Sequence, residues 1–187
     1  MVRLLPLAAA LALLSSAGQA LAQSGPDFDT EQMTFQGTVA AGCLIAAAQA
    51  TFVGNATVSN LAPGTADIAI NQLVDENGEP IGAEVTLTLP AVCNQSHTLS
   101  LSSQNGALVN ADGGPGGPFR NALPYSVTVA WSGQSQTVSS DGGGLTVTYG
   151  DAGSGQVVIT IQIPAGGDPL TAGAYADQLI LELGAAA

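Results

Sequence analysis

Positively charged residues are almost missing from this sequence. Of its 187 residues only two are Lys or Arg, against fourteen Asp or Glu, so the formal net charge is −12. A chain with so few cations cannot neutralise phosphates, which makes it unsuited to bind nucleic acid or to dock on an anionic membrane surface. We interpret the acidity as a means of keeping the protein in solution.

Residues that carry out catalysis or bind metals are also scarce. His97 is the only histidine, and the neighbouring Ser96 would point to the opposite face of a strand, so the pair does not predict a catalytic dyad. The acidic stretch 75–79 lacks the spacing of an EF-hand loop. Trp131 shares a face with aliphatic residues, which favours a role in core packing. We therefore predict no enzyme, no catalytic residue, no cofactor and no metal site.

The one long hydrophobic run lies at the N-terminus. Arg3 is followed by an apolar segment from Leu4 to Leu14 and by Ala20-Leu21-Ala22, a small-x-small cleavage sequence. These features predict a secretory signal peptide over residues 1–22, and the run is too short to span a bilayer. The mature chain is expected to be exported, to form one domain and not to insert into a membrane.

Only two cysteines are present, Cys43 and Cys93. In an exported protein such a pair favours a disulfide, and two thiols without neighbouring histidines supply too few ligands for zinc. The bond would close a loop of about fifty residues, which corresponds to roughly 4 kcal/mol in the chain-entropy model.

Short alternating runs separated by Gly, Asn, Asp and Ser fill the rest of the chain. This pattern is typical of an all-β, antiparallel sandwich of eight or nine strands. The predicted strands run from Met33 through Cys43–Ile45, over Val85–Leu89 and Leu99–Leu101, over Tyr125–Trp131 and Leu145–Tyr149, over Val157–Ile163, and along the closing stretch from Tyr175.

Residues 46–84 are harder to interpret. Thr51–Val53 and Ala66–Ile70 suggest short strands, and Pro63-Gly64 suggests a turn before the second. The dipeptide Asn77-Gly78 predicts a hairpin that leads into Val85. How these pieces are arranged is left open.

The closing stretch has one apolar face. Tyr175, Leu179, Leu181 and Leu183 alternate with polar residues, which indicates a strand with one buried side. Only Gly184 and three alanines follow, so we expect this strand to have one unpaired edge, and an unpaired apolar edge invites pairing with another chain.

Several motifs together resemble one family. They are Ala41-Gly42-Cys43-Leu44-Ile45, a second cysteine that leads into Thr98-Leu99-Ser100-Leu101, the segment 120–125 that begins with Arg, Ile161-Gln162-Ile163-Pro164, and the ending Gly173-Ala174-Tyr175-Ala176-Asp177. Over roughly residues 35–45 and 85–184 the chain resembles the spore coat protein U domain family, whose members are subunits of archaic chaperone–usher pili and related secreted fibres of bacteria.

The resemblance implies an immunoglobulin-like sandwich that lacks its last strand. A periplasmic chaperone would fill the gap in transit, an outer-membrane usher would assemble the subunits, and the N-terminal extension of the next subunit would replace the chaperone. Tyr175, Leu179, Leu181 and Leu183 would form the acceptor edge. Such a head-to-tail contact does not close, so it yields a surface fibre for attachment or biofilm formation.

The donor segment has two possible registers. In the first, which we prefer, residues 23–34 form the extension, Phe28, Thr30 and Met33 carry the contact, and the domain spans residues 35–187. In the second, Met33, Phe35 and Val39 form the donor face and the first strand begins nearer Ala40. A subunit that fits neither register would cap or decorate a fibre. The alternative function is a self-contained secreted sandwich that does not polymerise, such as a tip adhesin or a surface- or carbohydrate-binding module.

Overall fold

The fold is built from antiparallel strands. The computed structural model describes residues 34–114 and 116–186, and among these residues there are thirteen strands and no helix. The strands are β1 (Cys43–Ile45), β2 (Gln49–Gly54), β3 (Ala56–Ala62), β4 (Thr65–Ile70), β5 (Ala83–Cys93), β6 (His97–Ser103), β7 (Leu108–Val109), β8 (Ala122–Leu123), β9 (Ser126–Trp131), β10 (Gln134–Ser139), β11 (Leu145–Tyr149), β12 (Gly153–Ile163) and β13 (Leu179–Ala185).

The chain divides into two units, residues 1–38 and 39–187. Residues 34–38, the described part of the first unit, contain no strand, and the second unit has its first strand at Cys43. The predicted strand from Met33 is therefore wrong for residues 34–42. The predicted signal peptide and the donor residues Phe28, Thr30 and Met33 lie outside the described residues.

Two main sheets face each other in the second unit. The larger follows the order β1-β5-β12-β9-β10, and β2 also pairs with β5. The smaller has the order β11-β6-β13. Two short ribbons, β3-β4 and β7-β8, complete the set, and every pairing between strands is antiparallel.

The core lies between the inner faces of the two sheets. Alternate residues of a strand point to the same face, so β9 buries Val127, Val129 and Trp131, and the facing β6 buries Leu99 and Leu101. The outer positions between them carry Thr128 and Ala130 in β9 and Ser100 in β6. The predicted all-β sandwich is confirmed, and so is the predicted core position of Trp131.

The disulfide predicted from the two cysteines is also confirmed. Cys43 and Cys93 face each other in the β1-β5 pair with their Cα atoms 4.1 Å apart, and their sulfur atoms are bonded. The bond ties the first strand of the sandwich to the end of a central strand.

Residues 46–84 form three further strands. The predicted segments 51–53 and 66–70 fall within β2 and β4, and the turn with Pro63 and Gly64 joins β3 to β4. Gly64 has φ +84°, a value that glycine adopts without strain and that a type II turn requires after proline.

The turn predicted at Asn77-Gly78 is present, but it does not connect two strands. The residues that flank it, Val74 and Pro80, form only an isolated antiparallel bridge. The Asp75 carboxylate closes this turn by accepting the N–H groups of Asn77 and Glu79 at 2.8 and 2.9 Å. The bond from Glu79 is the main reason why the pKa of Asp75 lies below its usual value.

Strand β10 was not predicted from the sequence. The chain reverses after Trp131 through Ser132 and Gly133, whose φ angles are +46° and +77°. Two positive φ angles in a row characterise the type I′ turn of a tight hairpin. The dipeptide Ser-Gly between two polar-apolar runs was the available signal.

Candidate functional site

Strand β13 has one unpaired edge within the described residues. It pairs with β6 from Leu179↔Ser103 to Ala185↔His97 and with no other strand there. Strands at a sheet edge expose unpaired N–H and C=O groups that can pair with an added chain. The last strand of the sandwich is thus a possible acceptor for another segment.

The inward leucines of β13 are only half-buried. Leu179, Leu181 and Leu183 share the face that points to the core, as predicted, and all three pack against the main core cluster. The β6 residues that pair with Leu183 and Leu181 are buried more deeply, since Leu99 is 0% and Leu101 2% exposed. The inward side chains of β6 are therefore fully covered by the core, whereas those of β13 are left partly exposed to solvent.

A groove runs beside β13, and we call it the β13 groove. Its volume is about 790 Å³. Leu179 and Leu181 form one wall, and the floor comes from the larger sheet. The floor residues are Leu87 and Leu89 of β5 and Ile159, Ile161 and Ile163 of β12.

The opposite wall of the β13 groove has two parts. Ile45, Ala46 and Ala48 contribute where β1 ends and the chain passes to β2. The other part is β4, which contributes residues 65–68 and Ile70. The polar side chains of the lining are those of Thr65, Asp67, Tyr125, Asp177 and Gln178. The other lining residues are apolar or glycine, so the groove suits an uncharged, apolar occupant.

Asp177 anchors the start of β13. Its carboxylate accepts hydrogen bonds from the hydroxyls of Ser103 and Tyr125, the latter at 2.6 Å, and from the backbone N–H groups of Asn105 and Gln178 at 2.9 and 2.8 Å. Partial burial opposes the charged form, but these donors outweigh it and lower the pKa of Asp177. Burial and the nearby carboxylate together raise the pKa of Tyr125 above its usual range.

Tyr175 does not belong to the edge strand as predicted, because β13 begins only at Leu179. Its hydroxyl lies 2.9 Å from the carbonyl oxygen of Thr171 and 3.1 Å from that of Arg120. Tyr175 therefore fastens the loop before β13 and does not line the unpaired edge.

The glycine of the motif 173–177, Gly173, is explained by its close contact with Asn110. A Cβ atom there would lie 2.3 Å from Nδ2 of Asn110, and the φ angle is +147°. Sequence reasoning missed Asn110, which is 1% exposed, donates to the carbonyl of Ala172 at 3.0 Å and accepts the N–H of Gly113 at 3.1 Å. A lone asparagine between an apolar pair and the glycine-rich loop was the only signal.

Arg120 also holds the chain that precedes β13. Its guanidinium donates to the backbone carbonyls of Asp168 at 3.2 Å and Gly166 at 3.4 Å. The side chain of the arginine in the sequence motif thus holds the backbone of the loop that contains Gly166 and Asp168.

The other end of the domain is fixed by Asn94. Its side chain accepts the N–H of Gly42 at 2.8 Å and donates to the carbonyl of Ala40 at 2.6 Å, and its own N–H donates to the carbonyl of Gly42. These bonds lie next to the disulfide, so Asn94 and Cys93 together hold residues 40–43 beside the end of β5.

His97 lies in an aromatic cluster of the core. It is 1% exposed, its Nδ1 lies 2.9 Å from the carbonyl of Gln95, and its ring packs against Trp131 and Tyr149 with centroids 4.6 and 4.9 Å away. Nε2 of His97 and Nε1 of Trp131 have no hydrogen-bond partner among the residues that the structure describes. The cluster packs the end of the sandwich away from the β13 groove.

A second hollow, of about 830 Å³, lies at the other end of the larger sheet, where Phe52, Gly82 and Pro164 border it. Its lining mixes small residues with larger ones such as Glu84, Tyr125 and Gln162. In residues 34–114 and 116–186 we find no cluster of three or more His, Cys, Asp or Glu side chains suited to a metal ion. Over the same residues no helix has the length and apolar character needed to cross a membrane.

No protein-family model matches this chain, and no curated protein is significantly similar to it in sequence.

Proposed function

We propose that this protein is a structural subunit that joins other copies of itself by strand addition and so builds a fibre on the cell surface. The observation that carries the proposal is the β13 groove, where an unpaired strand edge lies beside half-buried leucines and an apolar floor. An extended segment in this groove would pair with β13 through its backbone and cover the open part of the core with alternate side chains.

The occupant we propose is residues 33–39 of a second copy. Met33, Phe35, Gly37 and Val39 alternate with Thr34, Gln36 and Thr38, which is the pattern of a strand with one apolar face. Phe35 is 90% and Val39 88% exposed, and residues 34–42 form no strand. Large apolar side chains so fully exposed on a segment without strand structure favour a partner that covers them.

Charge favours this second register over the one we preferred from sequence. Residues 28–32 include Asp29 and Glu31, whereas residues 33–39 carry no charge. Asp67 and Asp177 line the β13 groove, so an acidic donor would meet like charges there. Residues 33–39 also match β13 in length, because both have seven residues and would extend about 23 Å.

The remaining parts of the proposal follow from the same groove. A subunit whose core is open needs a temporary cover before assembly, so we propose a periplasmic chaperone that fills the β13 groove and an outer-membrane usher that exchanges it for the next subunit. The signal peptide over residues 1–22 would deliver the chain to this route. Attachment and biofilm formation are the expected roles of the fibre.

A pair of variants on neighbouring residues of β13 tests the proposal. Leu181 points into the β13 groove, and Ile180 points to the outer face, where it is 39% exposed. We expect Leu181→Asp to abolish assembly of the mature chain into high-mass species, because a carboxylate would be buried under the donor strand. Ile180→Asp should still assemble. Size-exclusion chromatography with light scattering gives the mass of each.

A peptide of residues 32–41 provides the second readout. It should raise the melting temperature of the subunit with the logarithm of its concentration above the Kd, since a ligand that binds only the folded state stabilises by about 2.7 kcal/mol at 100 times its Kd. A mature chain that stays monomeric and gains nothing from the peptide would contradict the proposal and support the self-contained binding module.

A further inference from the structure

The hairpin of β3 and β4 stands apart from both main sheets. Its strands pair with each other and, within the described residues, with no third strand. It leaves the larger sheet at Asn55, whose side chain donates to the carbonyls of Gln72 and Gly82 at 2.8 and 3.2 Å and accepts the N–H of Gln72. Both ends of the hairpin are thus joined at one residue.

Apolar packing holds the hairpin in place over the larger sheet. Val58, Ala66 and Ile68 pack against a small buried cluster that contains Val85 and Leu87 of β5. The position of β4 next to the β13 groove is therefore fixed by side chains and does not depend on backbone pairing with the sandwich.

Strand β4 faces the groove with its edge. Thr65, Ala66, Asp67 and Ile68 all line the groove, although they are consecutive. Consecutive side chains of a strand point to opposite faces, so over residues 65–68 the wall is a strand seen along its edge, and beyond them Ile70 lines the groove whereas Ala69 does not. From β3 only Ala62 at the tip contributes, which means that the edge facing the groove is the one not paired with β3.

We propose that the strand added to the β13 groove pairs along both of its edges, with β13 on one side and with β4 on the other. This inference rests on the proposed function. The added strand would join the three-stranded sheet and the hairpin into one sheet with the order β11-β6-β13-donor-β4-β3. The hairpin would then take part in binding the next subunit and not only in covering β5.

Two-sided pairing satisfies the backbone of the donor more completely than one-sided pairing. In an extended strand alternate N–H groups point to opposite sides, so an edge on only one side leaves half of them to other partners. It also places Asp67 beside the donor, which adds to the reasons why an uncharged segment fits better than an acidic one.

Hydrogen–deuterium exchange of the mature subunit, with and without the peptide of residues 32–41, tests the inference. We expect the peptide to slow exchange at alternate amides of β4 by tenfold or more, together with alternate amides of β13. Protection of β13 without any change in β4 overturns the two-sided pairing and leaves the proposed function intact. A peptide that protects neither strand overturns both.

A pair of modified peptides gives an independent check. One carries N-methyl groups at Met33, Phe35 and Gly37, the other at Thr34, Gln36 and Thr38, so each loses the donors of one edge only. Each peptide lacks three hydrogen-bond donors along one edge, so both should bind about tenfold or more weaker than the parent. If one of them binds as tightly as the parent, the donor pairs along a single edge and the inference is wrong.

Discussion

At the scale of single residues, three positions just before β13 are explained by the contacts that they make. Asp177 collects two hydroxyl and two backbone donors, Tyr175 lies against two carbonyls, and Gly173 leaves room for Asn110. None of the three lies on the edge offered to a partner. They determine where β13 begins, and so they position the groove wall.

We predict that Asp177→Asn destabilises the fold near neutral pH by about 1–2 kcal/mol, because the ionised acceptor is lost. The pKa of Asp177 is lower in the folded state than in the unfolded chain, so its contribution is present above about pH 4 and disappears as the pH falls through the folded value. The difference between variant and parent in urea unfolding should therefore shrink in acid. Asp151→Asn, in an exposed turn, serves as the control and should match the parent throughout. An unchanged difference at low pH would contradict the assignment.

At the scale of elements, β6 and β13 are adjacent strands with the same inward pattern and different cover. Leu99 and Leu101 are buried between the sheets, whereas Leu181 and Leu183 are partly exposed and Leu181 lines the β13 groove. The same sequence pattern therefore gives a closed strand and an open one, according to what lies across from it.

We predict that Leu99→Ala costs about 2–5 kcal/mol in the free subunit and that Leu181→Ala costs roughly half as much or less, since the surface removed there is already partly exposed. Saturation with the peptide of residues 32–41 should increase the cost of Leu181→Ala and leave that of Leu99→Ala unchanged. Chemical unfolding with and without the peptide measures both. Equal costs in the free subunit would show that the core below β13 is already closed.

The disulfide is the second element-scale feature with a measurable effect. It closes a loop with a sequence separation of 50, and the chain-entropy model gives about 4 kcal/mol for a loop of this size. Replacing Cys43 and Cys93 together by alanine should therefore lower the free energy of unfolding by roughly that amount while the sandwich still forms. Unfolding of the oxidised parent, the reduced parent and the double variant under the same conditions separates the bond from the side chains; a reduced parent as stable as the oxidised one would contradict the prediction.

At the scale of the whole molecule, the net charge is far from zero. With two basic against fourteen acidic residues, each copy repels the next, while the proposed contact itself is apolar and uncharged on the donor side. Electrostatics should thus oppose the encounter of two subunits and have little effect on the contact after it forms.

We predict that assembly of the mature chain becomes faster as salt is added, because the screening length falls from about 10 Å at 0.1 M to about 3 Å at 1 M. Light scattering over a salt series measures the rate. The free peptide of residues 32–41 has no charged side chain, because it begins after Glu31. The rate at which it associates with the subunit is therefore the control and should change little with salt. Assembly that slows with salt would indicate an attractive charge contact and contradict the prediction.

The sequence by itself determined the strands of the core, the disulfide and the inward face of the last strand. The strands and the inward face follow from local alternation, and the disulfide was predicted from the only two cysteines of a chain with a predicted signal peptide; all of these patterns are visible along the chain. Val127, Trp131 and Leu181 point inward because the period of a strand is two, whatever the neighbours are.

Only the tertiary structure decided which of those faces is covered. Whether Leu99 is sealed and Leu181 is not depends on strands that are distant in sequence, and so does the placement of β4 beside β13. Residues 34–42 alternate like a strand yet form none, since in the described chain no strand pairs with them. An alternating pattern indicates which side of a segment is apolar. Whether that side is buried depends on the strands that pack against it in the folded protein.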